Sequence, residues 1–216
     1  MSDKIGVLRF PGTNCDWDIY EAVEWSGAKP TFLWHQDTFN VEDYDGFVVP
    51  GGFSYGDYLR SGALAAHAPA MNSLRTAAEK GYPIFGVCNG FQILCEAGLL
   101  PGALLRNAGL RFIDQMIEIE TQNSHKRFGL KLKKNQKSRM PIAHADGRYF
   151  VTDDELKKIQ DNDQVYCTYV ANPNGSAGNI AGVMNVQKNV VAMMPHPERA
   201  IYEWMGSSDG QLYFRN

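Results

Sequence analysis

The chain has 216 residues, a formal net charge of −3 at pH 7 and a pI near 5.9. This length is typical of one domain, which we expect to span residues 1–216, and the slight negative charge gives no reason to expect nucleic acid or an anionic membrane as a partner. No apolar stretch approaches the ~20 residues of a membrane helix, and the first residues lack the apolar segment of a signal peptide, so the sequence predicts a cytoplasmic protein.

The first half of the chain alternates short apolar runs with helical patterns. Strands are predicted at residues 4–10, 31–35, 46–50 and 83–87, and helices at residues 16–26, 61–80 and 89–97. Because the strand runs are apolar throughout, they are typical of a parallel sheet whose two faces are both covered by helices.

The pattern changes in the second half of the chain. Residues 111–121 alternate apolar and polar side chains, as a half-exposed strand does. Further strands are predicted at residues 164–170, 180–185 and 190–194, a short helix at 152–161, and a solvated loop or hairpin in the basic stretch 126–139. Together these patterns predict an α/β fold: a three-layer, mostly parallel sheet flanked by helices, with additional antiparallel strands in the second half.

Cys88 lies at a predicted strand-to-helix turn, in the segment Gly86-Val87-Cys88-Asn89-Gly90. The pattern Gly-x-Cys-x-Gly is the thiol counterpart of the Gly-x-Ser-x-Gly nucleophile elbow. Because the backbone of so sharp a turn is crowded, Gly86 and Gly90 remove side chains that would collide there. The turn also begins a helix, whose N-terminal dipole favours a thiolate over a thiol. The sequence therefore predicts that Cys88 is a catalytic nucleophile.

A thiol nucleophile needs a base, and the base needs an acceptor that orients it. Among the histidines, His196 is distinguished by its context, Pro195-His196-Pro197-Glu198. The two prolines favour an extended backbone, in which residues i and i+2 project to the same side. We therefore expect Glu198 to reach one ring nitrogen of His196 while the other faces Cys88.

A tetrahedral intermediate on Cys88 also needs N–H donors for its oxyanion. One is expected from the backbone of Asn89, directly after the nucleophile. The other is expected from Gly51-Gly52-Phe53, which follows a predicted strand and whose glycines allow the backbone to approach closely. A plain tight turn explains the Gly-Gly pair equally well, so this assignment depends on the motifs taken together.

Three separated motifs agree: Pro50-Gly51-Gly52, Gly86-x-Cys88-x-Gly90-x-Gln92 and His196-Pro197-Glu198. Together they resemble the class I glutamine amidotransferases, which have a Cys-His-Glu triad and a flavodoxin-like fold, and the resemblance extends over essentially the whole chain. The segments 10–16 (FPGTNCD), 53–60 (FSYGDYLR) and 172–176 (NPNGS) narrow it. They resemble the stand-alone glutaminase subunits of phosphoribosylformylglycinamidine synthases, which act in de novo purine synthesis.

The resemblance implies a role for each matching residue, with glutamine as the substrate. Cys88 would attack the side-chain amide, His196 would move the proton, and Glu198 would orient His196. Gly52 and Asn89 would supply the oxyanion N–H groups, and Gln92 would help to hold the substrate. Asn107, Arg111, His144 and Asn174 receive no role at this stage.

The resemblance also implies partners. The sequence contains no Gly-x-x-x-x-Gly-Lys-Ser/Thr motif, so no cofactor is expected in this chain. ATP and Mg²⁺ would instead bind a synthetase subunit, which would receive ammonia through a channel and aminate formylglycinamide ribonucleotide. A small third subunit would bridge the two. We expect glutaminase activity to be weak in the isolated chain and to rise when the complex forms.

Other interpretations remain open. The chain is alternatively the glutaminase subunit of another biosynthetic amidotransferase, a non-catalytic regulatory module on the same fold, or a cysteine hydrolase of the related elbow-bearing fold. The intact triad disfavours the regulatory module. The four cysteines form no C-x-x-C pair, and a metal site at His144 and Asp146 would have only two ligands in view, so no metal is expected.

Overall fold

The computed structural model describes residues 2–215, in which strands and helices alternate through the first half of the chain. The strands are β1 (Lys4–Arg9), β2 (Lys29–Trp34), β3 (Gly46–Val49), β4 (Ile84–Val87), β5 (Ala103–Leu105), β6 (Ile113–Thr121), β7 (Lys137–His144), β8 (Arg148–Phe150), β9 (Val165–Tyr169), β10 (Ile180–Met184) and β11 (Val190–Met193). The α-helices are α1 (Asp16–Trp25), α2 (Ala70–Glu79), α3 (Asn89–Glu96), α4 (Asp153–Asp161) and α5 (Gln211–Phe214).

Nine strands form one mixed sheet in the order β2-β1-β3-β4-β11-β10-β9-β6-β7, and β5 pairs with β8 separately. The pairs from β2 to β11 are parallel, and those from β11 to β7 are antiparallel. All residues of β3 and β4 are buried, as expected for parallel strands with both faces covered. The prediction of an α/β fold with antiparallel strands in its second half is confirmed.

The strand order decides where a ligand can bind. The chain passes from β1 to β2 on one side and to β3 and β4 on the other, so the order reverses beside β1. In open α/β sheets, ligands bind outside the carboxyl ends of the strands at such a reversal. The segments that follow β1, β3, β4 and β11 all emerge at this edge, and they carry Cys15, Gly51, Cys88 and His196.

Two predicted elements differ from the structure. The helix expected over residues 61–80 begins only at Ala70, after a short 3₁₀ segment (Ala65–His67). Ala68 is extended, with φ −65° and ψ 148°, because the residue before a proline avoids the helical conformation. The stretch 126–139 was expected to be a loop or hairpin, but its end belongs to β7. The charged side chains and Pro141 of β7 hide its strand pattern in the sequence. The strand tolerates a proline because it lies at the edge of the sheet.

Among residues 2–215, no helix has the length and apolar character needed to cross a lipid bilayer.

Candidate active site

Cys88 occupies the turn between β4 and α3 in a strained conformation, with φ 50° and ψ −105°. Its N–H donates to the Met193 carbonyl at 2.8 Å, which ties the turn to β11. A Cβ atom on Gly86 would lie 2.6 Å from Leu94 Cδ1, and one on Gly90 would overlap the Val49 carbonyl. Both glycines are therefore required by packing around the turn, as the spacing predicted.

His196 and Glu198 form a buried pair beside this turn. His196 Nδ1 lies 2.6 Å from Glu198 Oε1, and both side chains are almost fully buried. The sequence predicted an extended segment here, but residues Pro197–Arg199 form one 3₁₀ turn. Glu198 still reaches the imidazole, because this 3₁₀ turn also brings its carboxylate within hydrogen-bond distance of Nδ1. His196 Nε2 has no hydrogen-bond partner within residues 2–215, so it is available to a thiol or a substrate.

The side chains of His196 and Cys88 both pack against the backbone of Gly51. A Cβ atom on Gly51 would lie 2.8 Å from His196 Cε1 and 3.3 Å from Cys88 Cβ, so both side chains contact the same backbone position. Burial disfavours a charged imidazole, but the Glu198 carboxylate and a thiolate at Cys88 outweigh burial and hold the pKa of His196 well above 6.5. The surroundings of His196 thus favour its protonated form.

A second thiol, Cys15, adjoins the same histidine. Its Sγ lies 3.2 Å from the Cβ position of Gly51, and Arg199 Nη2 lies 3.1 Å from that sulfur. Burial raises the pKa of the Cys15 thiol, although the neighbouring His196 acts in the opposite direction. Arg199 is fixed by Asp18 at 2.9 Å. No role at the site was predicted for Cys15. The only feature of the sequence that could have indicated one is its place in the segment 10–16.

Two backbone N–H groups near the nucleophile have no acceptor among residues 2–215. The Gly52 N–H has no partner among residues 2–215, and Asn89 begins α3, where first-turn N–H groups lack helical acceptors. Gly52 has φ +144°, and a Cβ there would lie 2.7 Å from the Asn14 N, so glycine is required. The Phe53 N–H instead donates to Gly12 at 2.9 Å, leaving only the half-exposed Phe53 ring to face the site.

Side-chain amides join the oxyanion loop to the elbow helix. Asn89 Oδ1 accepts from the Ser54 N–H at 3.1 Å, and Asn89 Nδ2 donates to Gln92 Oε1 at 2.8 Å. Gln92 Nε2 in turn donates to the Asp146 carbonyl at 2.7 Å. Each polar atom of Gln92 thus makes one hydrogen bond within the chain, and each can make a second. Its contact with substrate stays a prediction.

Of the four residues without a predicted role, Asn107 and Asn174 hold the turn after β7, and His144 is the last residue of β7. Asn107 Nδ2 donates to the carbonyls of His144 and Arg111, and its Oδ1 accepts from His144 Nδ1 and the Gly147 N–H. Asn174 Nδ2 donates to the Gly147 carbonyl at 2.8 Å. The two asparagines are buried and fix the turn, whereas the Arg111 side chain is exposed and only its carbonyl takes part.

A cavity of about 30 Å³ lies beside the nucleophile. Gly52, Phe53, Cys88 and Gln92, all predicted from the sequence, line it. Six residues without a predicted place there line it too: Asp57, Ser61, Ala143, His144, Ala145 and Asp146. Burial and then the negative charge of Asp146 raise the pKa of Asp57 to about 6. Asp57 and Asp146 lie in loops that are far apart in the sequence, so no local motif could predict that they line one cavity.

One group of three potential metal ligands occurs within residues 2–215: Cys15, His196 and Glu198, with ligand atoms within 4.8 Å of one another. In it, His196 Nδ1 is already bound to Glu198. The expectation of a metal-free site stays a prediction.

A family model described as "CobB/CobQ-like glutamine amidotransferase domain" matches residues 2–211. Among solved structures, PurLQS from Thermotoga maritima is 43% identical, with a TM-score of 0.91, covering 99% of this chain and 96% of that chain. A Thermoplasma acidophilum structure named for a GMP synthase is 14% identical (TM-score 0.63; 99% and 91% covered). A glutamine amidotransferase from Thermotoga maritima is 16% identical (TM-score 0.61; 92% and 77% covered). These last two likenesses concern the fold alone.

Proposed function

Because the chain belongs to the family of CobB/CobQ-like glutamine amidotransferase domains, we propose that Cys88, His196 and Glu198 are the residues with which it hydrolyses glutamine. The chain is a glutamine amidotransferase, the glutaminase subunit of phosphoribosylformylglycinamidine synthase, as the sequence motifs predicted and the 43% identity with PurLQS supports. The assignment of the individual residues depends mainly on one observation, the 2.6 Å contact of His196 with Glu198 beside the strained Cys88 turn.

The mechanism follows from this arrangement. His196 takes the proton of the Cys88 thiol, and the sulfur attacks the amide carbon of the glutamine side chain. The N–H groups of Gly52 and Asn89 stabilise the oxyanion. His196 donates a proton to the departing nitrogen, so ammonia leaves and a glutamyl thioester remains on Cys88. Water then attacks the thioester with His196 as the base, which releases glutamate and restores the thiol. Glu198 keeps the ring oriented and stabilises its charged form.

The released ammonia requires an acceptor, and we propose that the synthetase subunit supplies it, with a small bridging subunit completing the complex. Exposed apolar side chains beside the cavity support a partner surface, since Tyr58 is 75% and Leu59 is 83% exposed. ATP and Mg²⁺ then bind the synthetase rather than this chain. A cytoplasmic location fits a catalytic thiol, and the cysteines of residues 2–215 are all free.

Glutamate release by the purified chain, with and without the synthetase subunit, tests this function. Cys88→Ala should abolish release under both conditions, whereas Cys95→Ala, which removes a thiol outside the site, should leave it unchanged. Release that persists in Cys88→Ala would contradict the assignment. Equal rates with and without the synthetase would contradict activation by the partner.

A further inference from the structure

Cys15 is a buried thiol that the proposed mechanism does not use. It lies in the segment after β1, at the same edge of the sheet as Cys88, and is 2% exposed. Its Sγ lies 3.2 Å from the position that a Cβ on Gly51 would occupy, and Cys88 Cβ lies 3.3 Å from the same position. Because Gly51 is a glycine, no side chain of that residue separates the two cysteines. The fold thus places a second thiol beside the nucleophile.

The groups around Cys15 act on its sulfur. Arg199 Nη2 lies 3.1 Å from Sγ, and a guanidinium so close to a thiolate stabilises it. Cys15 also directly precedes α1, whose N-terminal dipole favours a thiolate. Because burial raises the pKa of Cys15, the sulfur nevertheless carries a proton at rest, and a base has to accept that proton before the sulfur can react. His196 is in place to do so, since a nitrogen of its ring lies within 4.8 Å of Cys15 Sγ.

The Cys88 sulfur can turn towards Cys15, and the other two cysteines lie elsewhere. Cys88 Sγ lies 3.8 Å from the Ala143 carbonyl, and a thiol is only a weak donor, so rotation about the Cα–Cβ bond of Cys88 costs little. Cys95 follows seven residues later on α3, which places it about 10 Å further along the helix axis. Cys167 lies in β9, which two strands separate from β4. Cys15 is therefore the thiol that adjoins the nucleophile.

We propose that Cys15 and Cys88 form a reversible disulfide when a peroxide oxidises the nucleophile. As a thiolate, Cys88 attacks one peroxide oxygen, the O–O bond breaks, and the other oxygen leaves as hydroxide and takes up a proton. Cys88 is then a sulfenic acid, and its sulfur has given two electrons to the peroxide. The Cys15 sulfur attacks the Cys88 sulfur, the S–O bond breaks and water leaves. His196 accepts the proton of Cys15 and protonates the departing oxygen.

The disulfide stops glutamine hydrolysis and protects the nucleophile at the same time. It occupies the sulfur that attacks glutamine, and it keeps that sulfur from further oxidation to a sulfinic acid, which dithiols do not reverse. A dithiol restores both thiols by exchange. In a reducing compartment, disulfides are usually transient ones of this kind. The inference goes beyond the proposed function, because it concerns oxidation of the site and not hydrolysis of glutamine.

The test exposes the full chain to hydrogen peroxide, records its intact mass, alkylates the remaining thiols and maps the peptides without reduction. Wild type should lose the mass of two hydrogen atoms and yield a peptide in which Cys15 is linked to Cys88. Its glutamate release, measured after the synthetase subunit is added, should fall at least about 10-fold and return to within about twofold of the untreated rate with dithiothreitol.

Cys15→Ala and Cys15→Ser remove the second thiol, and serine keeps a polar group beside Arg199. In both variants Cys88 should instead gain two oxygen atoms as a sulfinic acid, and dithiothreitol should no longer restore the activity that peroxide removed. Each rate is compared with that of the same variant before oxidation. Cys95→Ala is the matched control, because it removes a thiol outside the site, and it should form the same link as wild type.

A link from Cys88 to Cys95 or Cys167 would overturn the proposal. A wild-type Cys88 that does not react, or that becomes a sulfinic acid without a link, would also overturn it, and so would recovery of Cys15→Ala with dithiothreitol to the extent seen in wild type. An untreated wild-type protein that releases no glutamate would refute the proposed function, whereas the linked peptide still tests this inference.

Discussion

Replacing Gly51 with alanine should disable the site while leaving the fold intact. Gly51 has no positive φ, so alanine is compatible with its backbone. Its new methyl group would lie 2.8 Å from His196 Cε1, 3.2 Å from Cys15 Sγ and 3.3 Å from Cys88 Cβ. Non-bonded carbon atoms are normally separated by about 3.5–4.0 Å, so the imidazole has to move by roughly 1 Å.

The size of the effect follows from that displacement. A misplacement of about 1 Å in a reacting group reduces the rate about 100-fold, so kcat for glutamate release by Gly51→Ala should fall by about that factor. Overpacking of this kind lowers the free energy of unfolding by about 1–3 kcal/mol. Since domains are stable by about 5–15 kcal/mol, the variant should remain folded.

The assay measures glutamate release in the complex together with thermal melting of the isolated chain. Gly109→Ala is the matched control, because a Cβ there meets nothing within 4 Å and Gly109 also lacks a positive φ. It should match wild type in stability and rate. If Gly51→Ala retained wild-type kcat, the position of His196 against Gly51 would be irrelevant to catalysis, and the reasoning from the site geometry would be wrong.

Glu198→Gln should lower kcat by about 100-fold or more, because it removes the carboxylate that holds the raised pKa of His196. His196 would then lose its proton at lower pH, so the alkaline limb of the pH–rate profile should move to lower pH; an unmoved limb would contradict this. Thr152→Ala removes the capping box of α4 and should lower the unfolding free energy by about 1 kcal/mol without altering glutamate release, which melting and activity assays check together.

The sequence predicted the nucleophile turn well because the residues that it requires are close together in the chain. The glycines at 86 and 90 leave room for Leu94 of α3 and for the Val49 carbonyl of β3, and both lie two residues from Cys88. The contact of Glu198 with His196 is also local, and it was predicted even though the expected extended backbone is a 3₁₀ turn. Pro195 and Pro197 flank His196 and restrict the backbone, so the segment that joins His196 to Glu198 has few conformations open to it.

The remaining parts of the site could not be predicted from local patterns. Cys15, Asp57 and Asp146 come from loops far apart in the chain, and only the strand order brings them to one edge of the sheet. Strand β7 was also not predicted, because its composition is unusual for a strand. Its alternation of buried and exposed residues is regular, but lysine, arginine and a proline obscure it, and its place at the sheet edge makes them tolerable.

The most direct test of the central claim is the intact mass of the chain, followed by peptide mapping, after exposure to a diazo-ketone analogue of glutamine in the presence of the synthetase subunit. The account predicts one adduct per chain, located on Cys88, blocked by excess glutamine and absent from Cys88→Ala. An adduct on Cys15 or Cys95 instead, or no adduct at all, would contradict the assignment of Cys88 as the nucleophile of a glutaminase.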